Sequence, residues 1–562
     1  MEIAGMQSVT EFLKTLASSG VKLSVEAGQL NCYAPSGALT NDLKKGILRY
    51  KPEILAWLEH RDRKRQDNIV RPSPARPREF PLASGQKGLY ILQKINPGMT
   101  AYNLPLCVRV TGAIDADVLE TAWRLTLDQY PILATRIVED NGVLRHVVDE
   151  RCRTSIERQS LEITDEQQLI SFLRQRVKRP FDLDRGPLTR IELFTLNDRE
   201  RILLLTIHHM IFDGVSAVLL LRSLFGNCQA LSEGKPVPVP AERAGYEEFV
   251  AWEEAMLASP EGRLHADYWQ QRLAGELSSL ELFPDVPRLA APSFQGASHV
   301  QTLPAELSSA IRTFAKDQSF LPSIVFLAAF KLLLHRYTSQ DDIIVGMPVI
   351  VRPGQKFASE VGYFINMVPL RTRCSDQSKF SELLRDVRKT MLDAIYHSSY
   401  PFELMLDKLR TRSATKNAVF QVNFAYQNFV GDESFASIPR QPGIEITNVA
   451  EIGPEGYSDL GLEIFDKDAA FSIHLRYNPD VYPADAMDRF CRHYAALLQS
   501  ITGDGDRRLH EYSIVPESEK QKLLVEFNAT EAEFPKDRVI HDFFAEQVAH
   551  EPGKTAVVSG EK

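Results

Sequence analysis

The chain has 562 residues, 44% of them apolar and 25% charged, with a formal net charge of −9; this is an ordinary soluble globular composition, long enough for three or four domains. The acidic balance excludes the global basic field that nucleic acid binding needs, and the start Met1-Glu2-Ile3-Ala4-Gly5 lacks the positive region and long apolar core of a signal peptide. The longest apolar stretch, residues 324–334, contains Lys331 and is too short to span a bilayer, so no membrane partner is expected; six cysteines without CxxC spacing read as reduced thiols of a cytoplasmic protein and offer no zinc site.

Residues 1–60 read as a small unit of their own. Apolar residues recur at helical spacing over 9–16. Residues 21–26 and 29–34 are strand candidates joined through Gly28 as a hairpin. Thr40 is placed to cap a helix through Arg49, and a second helix is expected over 52–60. Residues 61–79 form a linker with Pro72, Pro74 and Pro77, and the basic run at 61–65 reads as a solvated helix end. Ser84 is a candidate N-cap for the next helix. From 80 to 515 strand and helix patterns alternate. Strands are expected at 106–111, 190–196, 202–208, 342–347, 367–373 and 470–477. Helices are expected at 116–130, 165–178, 215–225, 246–257, 305–318, 324–337, 379–396 and 484–501. Such interleaving predicts an α/β fold. Beyond 515 come a charged helix at 517–527, a helix at 541–550 and a strand-like run at 555–558.

The chemistry concentrates in His208-His209-Met210-Ile211-Phe212-Asp213-Gly214. The stretch lies between an apolar run and a helix, which sets a titratable imidazole at a strand end. On these residues alone, a buried histidine pair serving packing stays open. No GxSxG elbow, HExxH, Walker loop or carrier-protein serine motif occurs.

The stretch resembles the HHxxxDG signature of condensation domains in non-ribosomal peptide synthetases, which are chloramphenicol-acetyltransferase-like acyltransferases. Further segments resemble that family's motifs in order. Ser84-Gly85-Gln86-Lys87-Gly88-Leu89-Tyr90 is similar to SxAQxRLW/Y, with Gly85 replacing Ala and an unusual Gly88. Tyr130-Pro131-Ile132-Leu133 through Arg136, Tyr246-x-x-Phe249-Val250-x-Trp252, Val361-Gly362-Tyr363-Phe364-Ile365-Asn366-Met367, Tyr400-Pro401-Phe402-Glu403 and Lys416-Asn417-Ala418-Val419-Phe420-Gln421-Val422 follow. The resemblance implies two acetyltransferase-like lobes, 80–260 and 261–515, forming a V-shaped pseudo-dimer with a central tunnel. Residues 1–60 resemble a small α+β docking domain of mixed polyketide/peptide synthetases. Residues 516–562 resemble a linker and the truncated start of an adenylation domain, which would follow in a full-length enzyme.

What the resemblance implies for the reaction is amide formation. The amine of an aminoacyl thioester on a downstream peptidyl carrier protein attacks a donor acyl thioester. Partner carriers supply the phosphopantetheine arms, acyl-CoA is an alternative donor, and no metal or covalently bound cofactor is expected. Adjacent strand residues face opposite ways, and the resemblance selects His209 for the channel, leaving His208 to packing. An α-amine titrates at about pH 8, so His209 stands open as a base, a hydrogen-bond partner for the amine, or an oxyanion donor. Asp213 is expected to pair with Arg352; orienting the imidazole, as in a hydrolase triad, is the alternative. Gly214 leaves room for a pantetheine arm or is a plain turn glycine, and Tyr363 and Asn366 are tunnel candidates. Gly85-Gln86, the Asn96-Pro97…Tyr102-Asn103 stretch and Phe212 look like the starter type, which acylates the first amino acid with a fatty acyl group. Residues 1–60 point instead to an upstream acyl or peptidyl carrier subunit; the starter type is the preferred reading, and an elongating reaction with a carrier-bound peptidyl or polyketide donor is the alternative. A non-catalytic docking or scaffold fragment is the reading from another class.

Overall fold

A computed structural model describes residues 21–26, 29–34, 40–49, 51, 54, 77–237, 244–277, 279–282, 295–410, 419–427, 438–439, 443–449, 452, 459–467, 470–503, 506–531, 533 and 535–560. The chain separates into two units, Met1–Ile514 and Val515–Lys562. At the front, Lys22–Glu26 and Gln29–Tyr33 pair antiparallel, Lys22 opposite Tyr33. The helix Asn41–Arg49 follows, with Leu43 N–H donating to Thr40 Oγ1 at 3.3 Å. The helix expected at 9–16, the linker at 61–76 and most of the helix expected at 52–60 lie outside the described residues.

Two large sheets organise the first unit. The N-terminal sheet has the order Glu445–Asn448, Asn103–Thr111, Glu200–His208, Thr189–Asn197, Glu157–Ser160. Its central strand carries the run Ile202–Ile207, buried throughout, because neighbours pair on both edges and both faces are covered. The C-terminal sheet has the order Ala297–Thr302, Ala470–Tyr477, Leu460–Lys467, Val422–Gln427, Asp342–Ile350, Ile365–Arg373. Helices lie where the apolar periodicity put them. Ala116–Gln129 is capped by Asp115, whose Oδ1 accepts from Asp117 N–H at 2.8 Å. Pro322–Thr338 is apolar all round and buried in the C-terminal core. Lys331 survives there because its Nζ donates to the carbonyls of Ile343 (3.1 Å) and Leu370 (2.6 Å). Gly214–Ser232 is long and apolar enough by composition to cross a membrane, and its Leu220, Leu221, Leu224 and Phe225 are packed into the N-terminal core.

One strand from beyond residue 260, Glu445–Asn448, pairs with Asn103–Thr111, Ile446 opposite Val110. That pairing covers a sheet edge that would otherwise offer unpaired backbone groups. Two expectations are corrected. Ser84 is not the N-cap: Ala83 holds that position, the Gln86 side chain accepts from Ala83 N–H at 2.9 Å, and Ser84 N–H donates to Glu253 Oε1 at 2.7 Å. Residues 555–558 form no strand; the described part of their unit holds the helices Glu517–Leu524 and Ile540–His550 and no strand to supply a ladder.

A buried histidine makes the fold acid-sensitive. His146 is fully buried and stacked on Phe80 at 4.9 Å. Thr135 Oγ1 donates to the Ile132 carbonyl at 2.8 Å, so His146 Nδ1, 3.3 Å away, donates to Thr135 and Nε2 stays unprotonated and without a partner. Burial lowers this imidazole's pKa to about 3. Its folded value lies below its unfolded value of 6.5, so the stability it permits is present above that unfolded value and lost as pH falls toward the folded one. Thermal melts from about pH 7 to about pH 4 are expected to show His146→Gln lacking one proton's worth of pH slope, about 1.4 kcal/mol per pH unit. Identical slopes in the two proteins would contradict this assignment.

Candidate active site

The pairing of Asn103 with His208 closes the strand ladder next to Tyr102. The chain then makes a 3₁₀ turn, His209–Ile211, before the helix Gly214–Ser232. His209 N–H donates to the Tyr102 carbonyl at 2.8 Å, and Gln86 Nε2 donates to the Met210 carbonyl at 2.8 Å. Asp213 Oδ1 caps the following helix, accepting from Ser216 N–H at 2.7 Å. The loop is therefore held at its start, middle and end.

The two histidines take opposite tautomers. His208 is 1% exposed, its Nδ1 accepts from Met210 N–H at 3.2 Å, and its buried Nε2 has no partner. Its ring meets Phe181 edge-on at 6.0 Å, and burial lowers its pKa to about 3. His209 is half-buried, and its Nδ1 lies 2.6 Å from the Phe212 carbonyl oxygen. A carbonyl only accepts, so Nδ1 carries the proton and Nε2 keeps its lone pair. Burial holds this imidazole below its usual pKa, opposed by the Phe212 carbonyl and Asp213. Tyr363 stands edge-on to its ring at 5.4 Å, and Tyr102 lies 6.4 Å away.

Asp213 is fully buried in a polar network with Arg352. Arg352 Nη2 donates to both carboxylate oxygens at 3.0 Å and to Ser216 Oγ at 3.2 Å; Nη1 donates to the carbonyls of Phe357 (2.9 Å) and Glu360 (2.6 Å). Phe364 N–H adds a further donor to Asp213 Oδ2 at 3.2 Å, and the guanidinium stacks over the Phe364 ring at 4.0 Å. Ser216 Oγ donates to the Gly362 carbonyl and accepts from Gly362 N–H. A Cβ at Gly362 would sit 2.2 Å from Tyr246 Cδ2, and Tyr246 in turn donates its hydroxyl to the Tyr363 carbonyl at 2.7 Å. This network pins the histidine loop to the segment carrying Tyr363.

Gly214 is the first residue of its helix and half-buried. Asn366 lines the crevice beside Tyr363, but its amide is committed to structure: Nδ2 donates to the carbonyls of Ser398 and Tyr400, and Oδ1 accepts from Phe402 N–H. The roles of Gln86 and Ser216 were missed. Gln86 sits in a recognised motif, but its partner lies 124 residues on, and Ser216 reaches across 146. Among the described residues no group of histidine, cysteine or carboxylate side chains is placed to hold a metal.

The Condensation domain family model matches residues 77–524, and the TubC N-terminal docking domain model matches residues 9–60. Polyketide synthase PksN of Bacillus subtilis (strain 168) is 37% identical over 85% of this chain, which spans 9% of that protein's length. The first condensation domain of the CDA synthetase superposes with a TM-score of 0.66 at 21% identity, covering 78% of this chain and 99% of that one. The starter condensation domain of rhizomide synthetase RzmA, as a double mutant in complex with C8-CoA and Leu-SNAC, gives a TM-score of 0.66 at 19% identity, covering 78% of this chain and 98% of that one. With the family match spanning most of its length, the chain belongs to the Condensation domain family.

Proposed function

We propose that this cleft joins the amine of an aminoacyl group, held as a thioester on a downstream carrier protein, to an acyl group arriving on an upstream carrier. The amine nitrogen attacks the donor carbonyl carbon, the C–S bond breaks, and the proton lost by nitrogen ends on the departing thiol. The observation that carries this reading is the 2.6 Å contact of His209 Nδ1 with the Phe212 carbonyl. It leaves Nε2 as an acceptor, suited to orient the N–H of the attacking amine and receive its proton. The same tautomer has no proton to offer an oxyanion, which argues against the donor role. Asp213 serves as the bolt between the lobes and not as part of a triad, because both its oxygens are occupied by Arg352, Ser216 and Phe364.

A carrier-borne donor is favoured by the docking-domain match at the front of the chain and by a relative named as a polyketide synthase. The starter-type reading, with a fatty acyl group taken from acyl-CoA, rests on Gly85-Gln86, Asn96-Pro97, Tyr102-Asn103 and Phe212. The test offers one medium-chain acyl group on CoA and on a carrier protein, with an aminoacyl-loaded acceptor carrier, and reads product by mass spectrometry. Product is expected from the carrier-borne donor at a rate well above that from CoA. Equal or faster use of acyl-CoA would overturn the carrier-borne assignment in favour of the starter type.

A further inference from the structure

The His209 tautomer leaves one atom of the reaction without a partner. Nδ1 gives its proton to the Phe212 carbonyl and Nε2 only accepts. The imidazole therefore has no proton for the donor carbonyl oxygen as that oxygen becomes an oxyanion, and the developing charge calls for a donor held beside the ring. Tyr363 meets that description. Its ring stands edge-on to His209 at 5.4 Å, whereas Tyr102 lies further away at 6.4 Å. Buried phenols normally find a partner, and other tyrosines of this chain do. The hydroxyls of Tyr246, Tyr426 and Tyr494 donate to the Tyr363 carbonyl, Asp466 Oδ2 and the Phe326 carbonyl, each at 2.7 Å. The Tyr363 hydroxyl has no partner among the described residues, and it is not sealed from solvent. The side chain is half-buried, so this donor is unsatisfied yet reachable.

The ring is also held in place. Gly362 N–H donates to Ser216 Oγ at 3.0 Å and Phe364 N–H donates to Asp213 Oδ2 at 3.2 Å, so both chain neighbours of Tyr363 are tied to the segment that follows His209. On another side the helix Ser84–Ile95 presents Gly85, where a Cβ would lie 2.8 Å from Tyr363 Cε1. Gly85 stands where the resembling motif carries alanine. Glycine is the less favourable choice inside a helix, and here it supplies the space that the ring fills. We infer that the Tyr363 hydroxyl is a catalytic hydrogen-bond donor to the oxygen of the donor carbonyl. The inference rests on the amide-forming reading above and deepens it. The reacting carbonyl has to come within reach of His209, because the amine that His209 orients attacks there. As nitrogen bonds to carbon, the carbonyl π pair moves onto oxygen and the phenol O–H stabilises it. The pair returns as the C–S bond breaks, and the phenol keeps its proton throughout. Burial holds the phenol pKa well above its ordinary value, which is consistent with a group that donates without ionising. His209 Nε2 thus accepts from nitrogen while Tyr363 donates to oxygen.

The test measures kcat and both KM values with an aminoacyl N-acetylcysteamine thioester as acceptor and a carrier-borne acyl thioester as donor. The proteins are wild type, Tyr363→Phe, Gly85→Ala and the Gly85→Ala/Tyr363→Phe double variant, each with a thermal melt. Tyr363→Phe keeps the ring and loses only the hydroxyl. It is expected to lower kcat by about 10²–10³, with both KM values and the melting temperature unchanged, because the contact exists only in the transition state. Gly85→Ala displaces the ring and is expected to lower kcat by about 10-fold or more. The double variant is expected to be no slower than Tyr363→Phe alone, since moving a ring that carries no hydroxyl costs nothing further. A wild-type kcat in Tyr363→Phe, a loss carried by KM alone, or multiplied losses in the double variant would overturn the inference while leaving amide formation intact. Absence of product from wild type with any donor would instead defeat the amide-forming reading, and this inference with it.

Discussion

His209→Ala is expected to slow amide formation by about 10²–10⁴ and to leave the melting temperature close to that of wild type. The rate effect follows from what the residue holds. Its Nδ1 proton is tied to the Phe212 carbonyl, so Nε2 is left in the acceptor form without further ordering, on a ring that packs beside Tyr363 and Tyr102. Alanine removes the imidazole that reaches this surface, and the neighbouring one cannot replace it, since the ring of His208 is packed against Phe181 in the core. The small stability effect follows from half-burial: little apolar area is lost, and the loop stays held by Gln86, Tyr102 and Asp213. Single-turnover kinetics with thermal melts on the same preparations check both halves. A His209→Ala protein retaining wild-type turnover would contradict the assignment.

Arg352→Ala is the substitution expected to cost the most stability. It leaves the fully buried Asp213 carboxylate without its cation, a change that typically costs about 3–5 kcal/mol. It also frees the carbonyls of Phe357 and Glu360 and unstacks the Phe364 ring. Activity should fall with stability, because the same network fixes the segment bearing Tyr363. Arg352→Lys is expected to recover little, since one ammonium cannot serve both the carboxylate and the two carbonyls. In a double-mutant cycle with Asp213→Asn, a neutral cap that still accepts from Ser216, denaturant unfolding should show a coupling of about 1–3 kcal/mol. Additive effects would mean that the pair carries no joint energy.

The parts of this arrangement legible in the sequence were those written locally. The run 202–207 reads as a strand because nearly every residue in it is apolar, and His208 to Gly214 read as a site because they are contiguous. Asp115 and Asp165 advertise helix starts by residue type alone, and both accept from the first turn of their helices. The strand Glu157–Ser160 was not legible: all four side chains are exposed, so no apolar alternation marks it. Glu445–Asn448 joins a sheet whose other strands lie more than 230 residues away in the chain, a pairing that local pattern cannot express. The pairing of Asp213 with Arg352 was reached through family resemblance and not through spacing. The commitment of Asn366 to the backbone of Ser398, Tyr400 and Phe402 required the fold itself, as did the empty space that Gly85 and Gly88 leave for Tyr363 and Glu403.

The most direct measurement is the intact mass of an aminoacyl-loaded acceptor carrier after one turnover with the full chain and a thioester donor. The mechanism predicts a gain equal to the acyl group, released by hydroxylamine together with the aminoacyl group as a single N-acyl-aminoacyl hydroxamate, and absent with His209→Ala. An acceptor carrier whose mass does not change, with the chain folded and both thioesters intact, would contradict it.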